Sequence, residues 1–309
     1  RNENGRYYFY FKQNGTVSGR YGSDAQQLPK PLEKGEDAPI LMKYVNIVRA
    51  FLIAGKGRKV IDADYESLEP HCFASVSGDK GLQEIFEKNW DFYSTVAIKT
   101  EKLEGVSADK NADNYLKKLD PVKRNTAKAY SLGIAYGMEA YALGRTLNVD
   151  QKTAQELVDG YLDGFPQLKE WRERSRQQAK EKGRIQNYVG RIRHLPRVKK
   201  VYDKFGDRMM DWRFRKELEP TYGKEQVMKA YRDYRNGLNN CLNFQLQSLA
   251  AAVVNRAALG INRKAEELGI DAKVQAQVHD QLIINCDEKD VEMFAPYVQE
   301  IMESTTKLP

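Results

Sequence analysis

The segment Arg124-Asn-Thr-Ala-Lys128-Ala-Tyr-Ser-Leu132-Gly-Ile-Ala-Tyr136-Gly137 is the most informative stretch of this chain. Four residues advance an α-helix by about 400°, so side chains at every fourth position share one stripe, here about 18 Å long. That stripe carries Arg124, Lys128, Leu132 and Tyr136. Like charges four residues apart repel by roughly 0.2–0.5 kcal/mol in an isolated helix, so the pattern favours an anion such as a nucleoside triphosphate along the stripe. A solvated basic face is the alternative interpretation of this segment.

The ends of this helix can be placed from the sequence. Asp120 is a suitable N-cap, and Pro121 suits the first helical position because a proline's missing N–H would have no helical partner there. Gly137 favours an end to the helix. We therefore predict a helix that begins at Pro121 and closes at Gly137.

Composition bounds the class of protein. The chain has 309 residues, more than the usual size of a single core, so we expect two joined subdomains. A formal net charge of +7 favours a polyanionic partner without identifying one. The three cysteines lack metal-binding spacing, and no apolar run reaches 18 residues. We therefore expect a cytoplasmic protein without a membrane partner and, because residue 1 is Arg, a natural product longer than this chain.

Strand patterns at both ends of the chain flank a helical middle. The predicted strands are 7–11, 58–64 and a strand–turn–strand unit at 273–286 with His279 and Asp280 at its tip. The predicted helices are 69–76, a helical region at 81–187 and a long helix at 239–268. A segment rich in charged and aromatic residues, 198–237, is expected to be an irregular or helical insertion. This order predicts an α+β architecture with the helical part inserted.

Two aspartates are candidates for binding metal. Asp64 ends the predicted strand 58–64, and Asp280 lies at the hairpin tip near the other end of the chain. If the two strands are neighbours, the pair can hold Mg²⁺, which takes one or two carboxylates plus substrate phosphate oxygens, and two such ions suit an in-line phosphoryl displacement. Strand-end aspartates also serve as caps or solvated turns. Asp62 lies on the same side of its strand as Asp64, and spacing does not separate the two.

Three ordered motifs in this chain resemble those of the family A DNA polymerases, the DNA polymerase I type. The segment Ala63-Asp64-Tyr65-Glu66-Ser67-Leu68-Glu69 is similar to motif A, an alignment that selects Asp64 rather than the aspartate two residues earlier. The helix described first is similar to motif B. The segment Gln277-Val278-His279-Asp280 is similar to motif C. Further matches are Gly19-Arg20, Gln26-Gln27-Leu28-Pro29, Asp91-Phe-Tyr93, Gly190–Pro196, Asn243 and Gln247.

This resemblance implies a right-hand polymerase fold, in which an antiparallel-sheet palm carries an inserted, mainly helical fingers subdomain. The implied boundaries are palm at 1–86, fingers at 87–237, including the charged insertion, and palm again at 238–309. The thumb and the 3′→5′ exonuclease domain of the family are absent from this chain and are expected in a preceding part of a longer protein. A fragment without its thumb is expected to hold duplex DNA poorly and to be weakly active or inactive alone.

The resemblance also implies a role for individual residues. The implied catalytic residues are Asp64, Asp280 and Lys128, with Lys128 a candidate proton donor. The implied ligands of two Mg²⁺ ions, for which Mn²⁺ is an expected substitute, are Asp64, Asp280 and the backbone carbonyl of Tyr65. The implied nucleotide-binding residues are Arg124, Lys128, Leu132, Tyr136 and Glu69, the last as a steric gate against ribose. The implied DNA contacts are Arg20, Gln26, Asn243, Gln247, Gln277 and His279.

Some positions depart from the family pattern. Leu132 stands where Phe or Tyr is usual, at a position that affects discrimination at the sugar 3′ carbon. Gln281 replaces the acid that commonly follows the motif C aspartate, and His71 replaces a common Arg. The charged insertion at 198–237 is longer than expected.

The function that the resemblance implies is template-directed DNA synthesis in replication or repair. The implied partners are primer-template DNA and dNTPs, bound by a monomer of bacterial or viral origin. One alternative is a single-subunit RNA polymerase-like nucleotidyltransferase, which Glu69 argues against because a ribonucleotide enzyme needs room for the 2′-hydroxyl. The other is a non-catalytic nucleic-acid-binding subunit. Such a subunit would have lost its catalytic activity. The presence of the two acids, Asp64 and Asp280, and of the two cations of the motif B helix argues against that loss.

Overall fold

The structure is a computed structural model that describes Tyr8, residues 10–13, residues 15–23 and residues 53–308. Gln26, one of the expected DNA contacts, lies outside the described residues, and so does part of the predicted strand at 7–11.

Helices fill most of the middle of the described chain, and five of the seven described strands lie towards its ends. The strands are β1 (Phe11–Lys12), β2 (Gly22–Ser23), β3 (Arg58–Asp64), β4 (Arg184–Gln186), β5 (Ile192–His194), β6 (Ala272–Val278) and β7 (Gln281–Asp287). The helices are α1 (Leu68–Ser77), α2 (Lys80–Glu87), α3 (Phe92–Glu101), α4 (Leu116–Leu119), α5 (Pro121–Ala135), α6 (Ala140–Leu147), α7 (Gln151–Gly164), α8 (Pro166–Lys182), α9 (Pro196–Phe205), α10 (Trp212–Tyr222), α11 (Lys224–Leu268) and α12 (Val291–Ser304). Short 3₁₀ segments lie at Gly206–Met210 and Glu288–Asp290. The α+β class is confirmed.

The chain divides into two compact units. The first unit comprises Arg1–Leu68 and Ala250–Lys307, and the second comprises Glu69–Leu249 with Leu308–Pro309. The division falls at the start of α1 and inside α11, so it differs from the subdomain boundaries implied by the resemblance, which stay predictions.

The first unit is built on an antiparallel sheet with strand order β3-β7-β6. β3 pairs with β7 from Arg58 opposite Asp287 to Asp64 opposite Gln281. Along β7 every second residue is buried, which is the period expected of a strand with one covered face. The core residues of this strand and of α12 are Leu282, Ile284, Cys286, Phe294, Val298 and Met302. The other face of the sheet, which includes Asp62 and Asp64, stays open.

The second unit is a helical assembly. Helix α3 packs against α5 and α7, and α6 packs against α7. Tyr130 on α5 and Tyr161 on α7 meet edge to face with ring centres 6.5 Å apart, and both rings are buried. Asp79 joins two helices because its carboxylate accepts from the backbone N–H of Leu82 on α2 and of Gln167 on α8, at 3.1 and 3.0 Å. Burying this aspartate therefore leaves its oxygens satisfied.

Most element predictions in the described part of the chain are confirmed. The strand 58–64, the hairpin with His279 and Asp280 at its tip, and a helix over the whole of 69–76 are all present. The helical region predicted at 81–187 ends earlier, at Lys182, because Arg184–Gln186 form β4. The predicted start of the long helix at Asn239 was wrong, because α11 begins at Lys224. The buried residues Val227, Tyr234 and Leu238 extend the apolar stripe of that helix into the charged insertion. None of the described helices combines the length and the apolar character needed to cross a membrane.

Candidate active site

The two candidate metal-binding aspartates lie at the same end of the sheet in the first unit. Asp64 is the last residue of β3 and is directly opposite Gln281, the first residue of β7. Asp280 immediately precedes Gln281 in the tight turn that joins β6 to β7. Asp280 therefore lies one residue before the position on β7 that faces Asp64. Asp64 is exposed and Asp280 is half-buried, so residues far apart in sequence lie side by side at an accessible edge.

Asp62 is engaged by a neighbour that sequence spacing did not reveal. The side-chain amide of Gln281 donates to Asp62 Oδ1 at 2.7 Å. Asp62, Asp64 and Gln281 therefore lie on one face of the sheet, as strand alternation predicts. An ionised carboxylate only accepts hydrogen bonds, so the Gln281 amide satisfies one of the two oxygens of Asp62.

The donor set at this end of the sheet suits a hard divalent cation. Asp64 and Asp280 supply carboxylate oxygens, and Mg²⁺ is bound through one or two carboxylates with water and substrate phosphate completing its shell. Within the ranges that the structure describes, no group of three or more His, Cys, Asp or Glu side chains is arranged to hold a metal ion. Tyr65, the source of the expected carbonyl ligand, is anchored by its hydroxyl, which donates to the Met302 carbonyl at 2.9 Å. Burial raises the pKa of this phenol.

The motif B segment forms one helix, α5, with the predicted start. The Asp120 carboxylate accepts from the Lys123 N–H at 3.0 Å, and Pro121 is the first helical residue. The last helical residue is Ala135, and Tyr136 caps the end. The predicted stripe lies on the accessible side of the helix, with Lys128 exposed and Arg124, Leu132 and Tyr136 half-buried. Lys128 makes no ion pair with any residue that the structure describes.

Arg124 has an acidic partner, Asp91, that sequence reasoning did not assign to the site. Arg124 Nε and Nη2 donate to the two carboxylate oxygens of Asp91 at 3.2 and 2.9 Å. The hydrogen bonds with Asp91 raise the pKa of Arg124. Burial opposes ionisation of Asp91, but the hydrogen bonds from Arg124 and Ser94 outweigh it, so the pKa of Asp91 is lowered. The charge of Arg124 is therefore already balanced within the protein, and of the two cations only Lys128 still favours an external anion.

Asp91 is itself fixed in place. It is the N-cap of α3, where its carboxylate accepts from the Ser94 N–H at 2.8 Å. The guanidinium carbon of Arg124 lies 5.0 Å from the centre of the Tyr93 ring, two residues after the cap. The signal in the sequence was the cap preceding a helix. Its pairing with an arginine on a later helix could not be predicted from local pattern.

Glu69 and Tyr136 are in contact within the second unit. The Tyr136 hydroxyl donates to Glu69 Oε2 at 2.5 Å, and the Phe73 ring lies 5.3 Å from the Tyr136 ring. The following residue, Gly137, has φ +98°, and an added Cβ would lie 2.6 Å from Asn239 Oδ1. Only glycine fits this position without displacing a neighbour. The expectation that Glu69 lies beside Tyr136 agrees with this contact.

The expected DNA contacts are distributed over both units. In the first unit, the backbone carbonyl of Arg20 accepts from the Thr16 hydroxyl at 2.7 Å, and Gln277 is buried with its amide donating to the His279 carbonyl at 3.2 Å. His279 is exposed with φ +58°. In the second unit, Asn243 and Gln247 are half-buried on α11. Asn243 Oδ1 and Gln277 Oε1 are buried and lack a hydrogen-bond donor among the described residues.

Comparison with known proteins places the chain in a family. A sequence model described as DNA polymerase family A matches residues 1–309. DNA polymerase I of Pseudomonas aeruginosa is 28% identical over 306 residues, which cover 98% of this chain and 28% of that protein. DNA polymerase I of Bacillus caldotenax is 27% identical over 301 residues, covering 96% and 29%. The thermostable DNA polymerase I of Thermus aquaticus is 24% identical over 304 residues, covering 98% and 31%.

The chain therefore spans less than a third of the length of these curated relatives. Among solved structures, the POL domain of Pol1 from M. smegmatis, in complex with DNA primer-template and dNTP, matches with a TM-score of 0.78. The match has 23% sequence identity and covers 99% of this chain and 46% of that one. This likeness confirms the fold expected from the motifs. The chain belongs to the family A DNA polymerases.

Proposed function

We propose that this chain carries the catalytic machinery of a template-directed DNA polymerase, which adds dNTPs to a primer 3′-hydroxyl and releases pyrophosphate. The observation that carries the proposal is the register of β3, β7 and β6, which brings Asp64 next to the turn containing Asp280. Family membership supports it, as do the names of the curated relatives and the primer-template and dNTP in complex with the structural neighbour.

Asp64 and Asp280, with the backbone carbonyl of Tyr65, would hold two Mg²⁺ ions, or Mn²⁺ in their place. When bound, these ions lower the pKa of the attacking hydroxyl and neutralise charge on the triphosphate and the leaving pyrophosphate. A pair of neighbouring carboxylates at an exposed sheet edge meets the oxygen-ligand preference of such ions.

The cations of α5 would bind the triphosphate. Lys128 is exposed and is free of ion pairs within the described part of the chain, so its ammonium can engage phosphate oxygens and donate a proton to the departing pyrophosphate. Arg124 would present the Nη1 edge of its guanidinium while Asp91 occupies Nε and Nη2. Leu132, four residues after Lys128 on the same stripe, would lie beside the sugar of the bound nucleotide.

Glu69 and Tyr136 would form the part of the site that selects deoxyribose. The Tyr136 hydroxyl holds the Glu69 carboxylate at 2.5 Å, and a ribose 2′-hydroxyl directed at this pair would meet a filled position. Arg20, Gln26, Asn243, Gln247, Gln277 and His279 would contact the primer-template. Minor-groove acceptors are shared by all correct base pairs, so this binding would be independent of sequence and sensitive to salt.

A single-turnover primer-extension assay tests the proposed function. With the protein in excess over a primer-template, weak DNA binding does not limit the signal. We expect extension by one nucleotide only with the dNTP that complements the template base, and little extension with the matching rNTP. A clear preference for rNTPs would identify an RNA polymerase-like enzyme. DNA binding without any extension, by this chain and also by a longer protein that includes it, would identify a non-catalytic subunit, and either result would overturn the proposal.

A further inference from the structure

The charged insertion, residues 198–237, concentrates both positive charge and aromatic rings. It contains eleven Lys or Arg against seven Asp or Glu, so its net charge is +4, whereas the rest of the chain carries the remaining +3. Seven of its side chains are aromatic, a higher proportion than the 10% of the whole chain. No residue of this segment has a part in the reaction proposed above. The insertion is therefore a candidate for a separate binding surface.

Helix α10, at the centre of the insertion, exposes a tryptophan next to an arginine. None of the residues of α10 is buried. Trp212, its first residue, is 62% exposed, and the Arg213 guanidinium carbon lies 5.7 Å from the Trp212 ring centre. Arg213 forms no ion pair with the residues described here. A single exposed apolar residue needs no explanation, but a flat ring and an unpaired cation side by side form a pair with complementary binding properties.

Two other arginines of the insertion lie over aromatic rings and help to fix the position of α10. The guanidinium carbon of Arg208 lies 3.9 Å from the Phe214 ring centre, and that of Arg215 lies 3.9 Å from the Tyr231 ring centre. Arg215 also donates to the Met210 carbonyl at 2.7 Å, two residues before Trp212. These cation–π contacts, together with the Phe205 ring, which lies 6.2 Å from the Phe214 ring and 5.8 Å from the Tyr222 ring, hold a helix that has no buried residue. The outer face of α10, which carries Trp212 and Arg213, is therefore held in a defined position.

We propose that the face of α10 carrying Trp212 and Arg213 binds single-stranded nucleic acid. Proteins hold single strands by stacking bases on aromatic rings while cations track the phosphates, and both chemical groups are present here together. The excess positive charge of the insertion complements a polyanion. A duplex keeps its bases stacked internally and has no free base face for Trp212. The surface therefore fits an unpaired strand better than a duplex.

In the proposed polymerase, the unpaired strand is the template ahead of the site of synthesis. This identification rests on the proposed function, whereas the binding of a single strand to Trp212 does not. The two can therefore fail separately, since the first is measured by extension and the second by direct binding.

Tryptophan fluorescence tests the binding directly. Trp171 is buried, so a Trp90→Phe background leaves Trp212 as the exposed fluorophore among the tryptophans. We expect oligo(dT) to quench this fluorescence, and Trp212→Ala to weaken oligo(dT) binding, measured by anisotropy of a labelled oligomer, by at least about tenfold, as expected for one lost stacking partner. Arg213→Gln should reduce the slope of log affinity against log salt by about one.

A matched pair in the same unit supplies the control. Lys88 Nζ lies 4.5 Å from the Trp90 ring centre, but Lys88 is paired with Glu84 at 2.6 Å. Trp90→Phe should therefore leave the affinity for oligo(dT) unchanged. In extension assays, Trp212→Ala should lose any advantage of a ten-nucleotide template overhang over a one-nucleotide overhang and keep full activity on the short one.

Three results would overturn the proposal. The first is an affinity for oligo(dT) that Trp212→Ala leaves unchanged. The second is equal competition by a duplex, and the third is equal competition by poly-glutamate, which would show a surface that responds to charge alone.

Discussion

The carboxylate of Glu69 and the hydroxyl of Tyr136 form the contact on which the proposed selection of deoxyribose rests. Their hydrogen bond of 2.5 Å joins the start of α1 to the end of α5 and fixes both side chains. A fixed carboxylate excludes an additional hydroxyl better than a mobile one, because the intruding group cannot displace it from the space that it fills.

Glu69→Ala is expected to narrow the preference for dNTP over rNTP by at least about tenfold, or about 1.4 kcal/mol of discrimination. Tyr136→Phe keeps the ring but removes the hydroxyl, so it should produce a smaller loss of the same kind. The measurement is kcat/KM for a matched dNTP and rNTP pair. Glu66→Ala, three residues before the gate, is the control. Unchanged selectivity in Glu69→Ala would remove this residue from the sugar site.

Asp91 is expected to position Arg124 for the triphosphate. Asp91→Asn keeps an N-cap for α3 because asparagine caps helices as well as aspartate, but it replaces a charged bidentate acceptor with a neutral one. We expect KM for dNTP to rise about tenfold, in line with the roughly 1.5–3 kcal/mol of a hydrogen bond to a charged group, with a smaller effect on kcat. Asp150→Asn changes the cap of α7, whose carboxylate accepts from Lys152 and Thr153 N–H groups, and should leave KM unchanged.

The same aspartate predicts a pH dependence of stability. The pKa of Asp91 is lower in the folded chain than its ordinary value of about 3.9. Its ionised form therefore stabilises the fold above that ordinary value, and this contribution is lost as the pH falls through the lowered folded pKa. Thermal unfolding between pH 6 and 3 should show a smaller acid loss of stability in Asp91→Asn than in the unsubstituted chain. Parallel curves would contradict the pairing with Arg124.

Local sequence signals predicted the strand and the helix that carry several of the candidate site residues, β3 and α5. Strand alternation predicted β3, and the Asp120 cap with Pro121 predicted the start of α5. The start of α11 was missed because the dense charge of the insertion masked buried positions at helical spacing, Val227, Tyr234 and Leu238. The pairing of β3 with β7 also lay beyond local signals, because it joins segments from opposite ends of the chain.

A substitution at Gly137 tests how tightly the residues at the end of α5 pack. An added Cβ there would lie 2.6 Å from Asn239 Oδ1, which accepts a hydrogen bond from Arg176 at 3.1 Å. Gly78 also has positive φ, +65°, but an added Cβ there meets nothing within 4 Å. Gly78→Ala should cost about 1–2 kcal/mol of stability for its left-handed backbone. Gly137→Ala should cost about 1 kcal/mol more because it also disrupts the hydrogen bond. Equal unfolding free energies in the two variants would contradict this packing.

At the scale of the whole molecule, the positive charge is uneven, because the insertion carries more than half of the net +7. Composition predicted a polyanionic partner but did not show which part of the molecule binds that partner. The two proposed roles of that partner, as primer-template at the motifs and as a single strand on α10, belong to separate residues and can be tested apart.

The proposed reaction requires two acids from opposite ends of the chain, Asp64 and Asp280, to bind the same metal ions. The most direct test is Mn²⁺ binding with dATP present, followed by electron paramagnetic resonance. Asp64→Asn and Asp280→Asn should each weaken Mn²⁺ binding by at least about tenfold. Asp62→Asn, on the same face of β3 but bonded to Gln281, should change it little. Unchanged Mn²⁺ binding in both of the first two variants, or an equal loss in Asp62→Asn, would contradict the account.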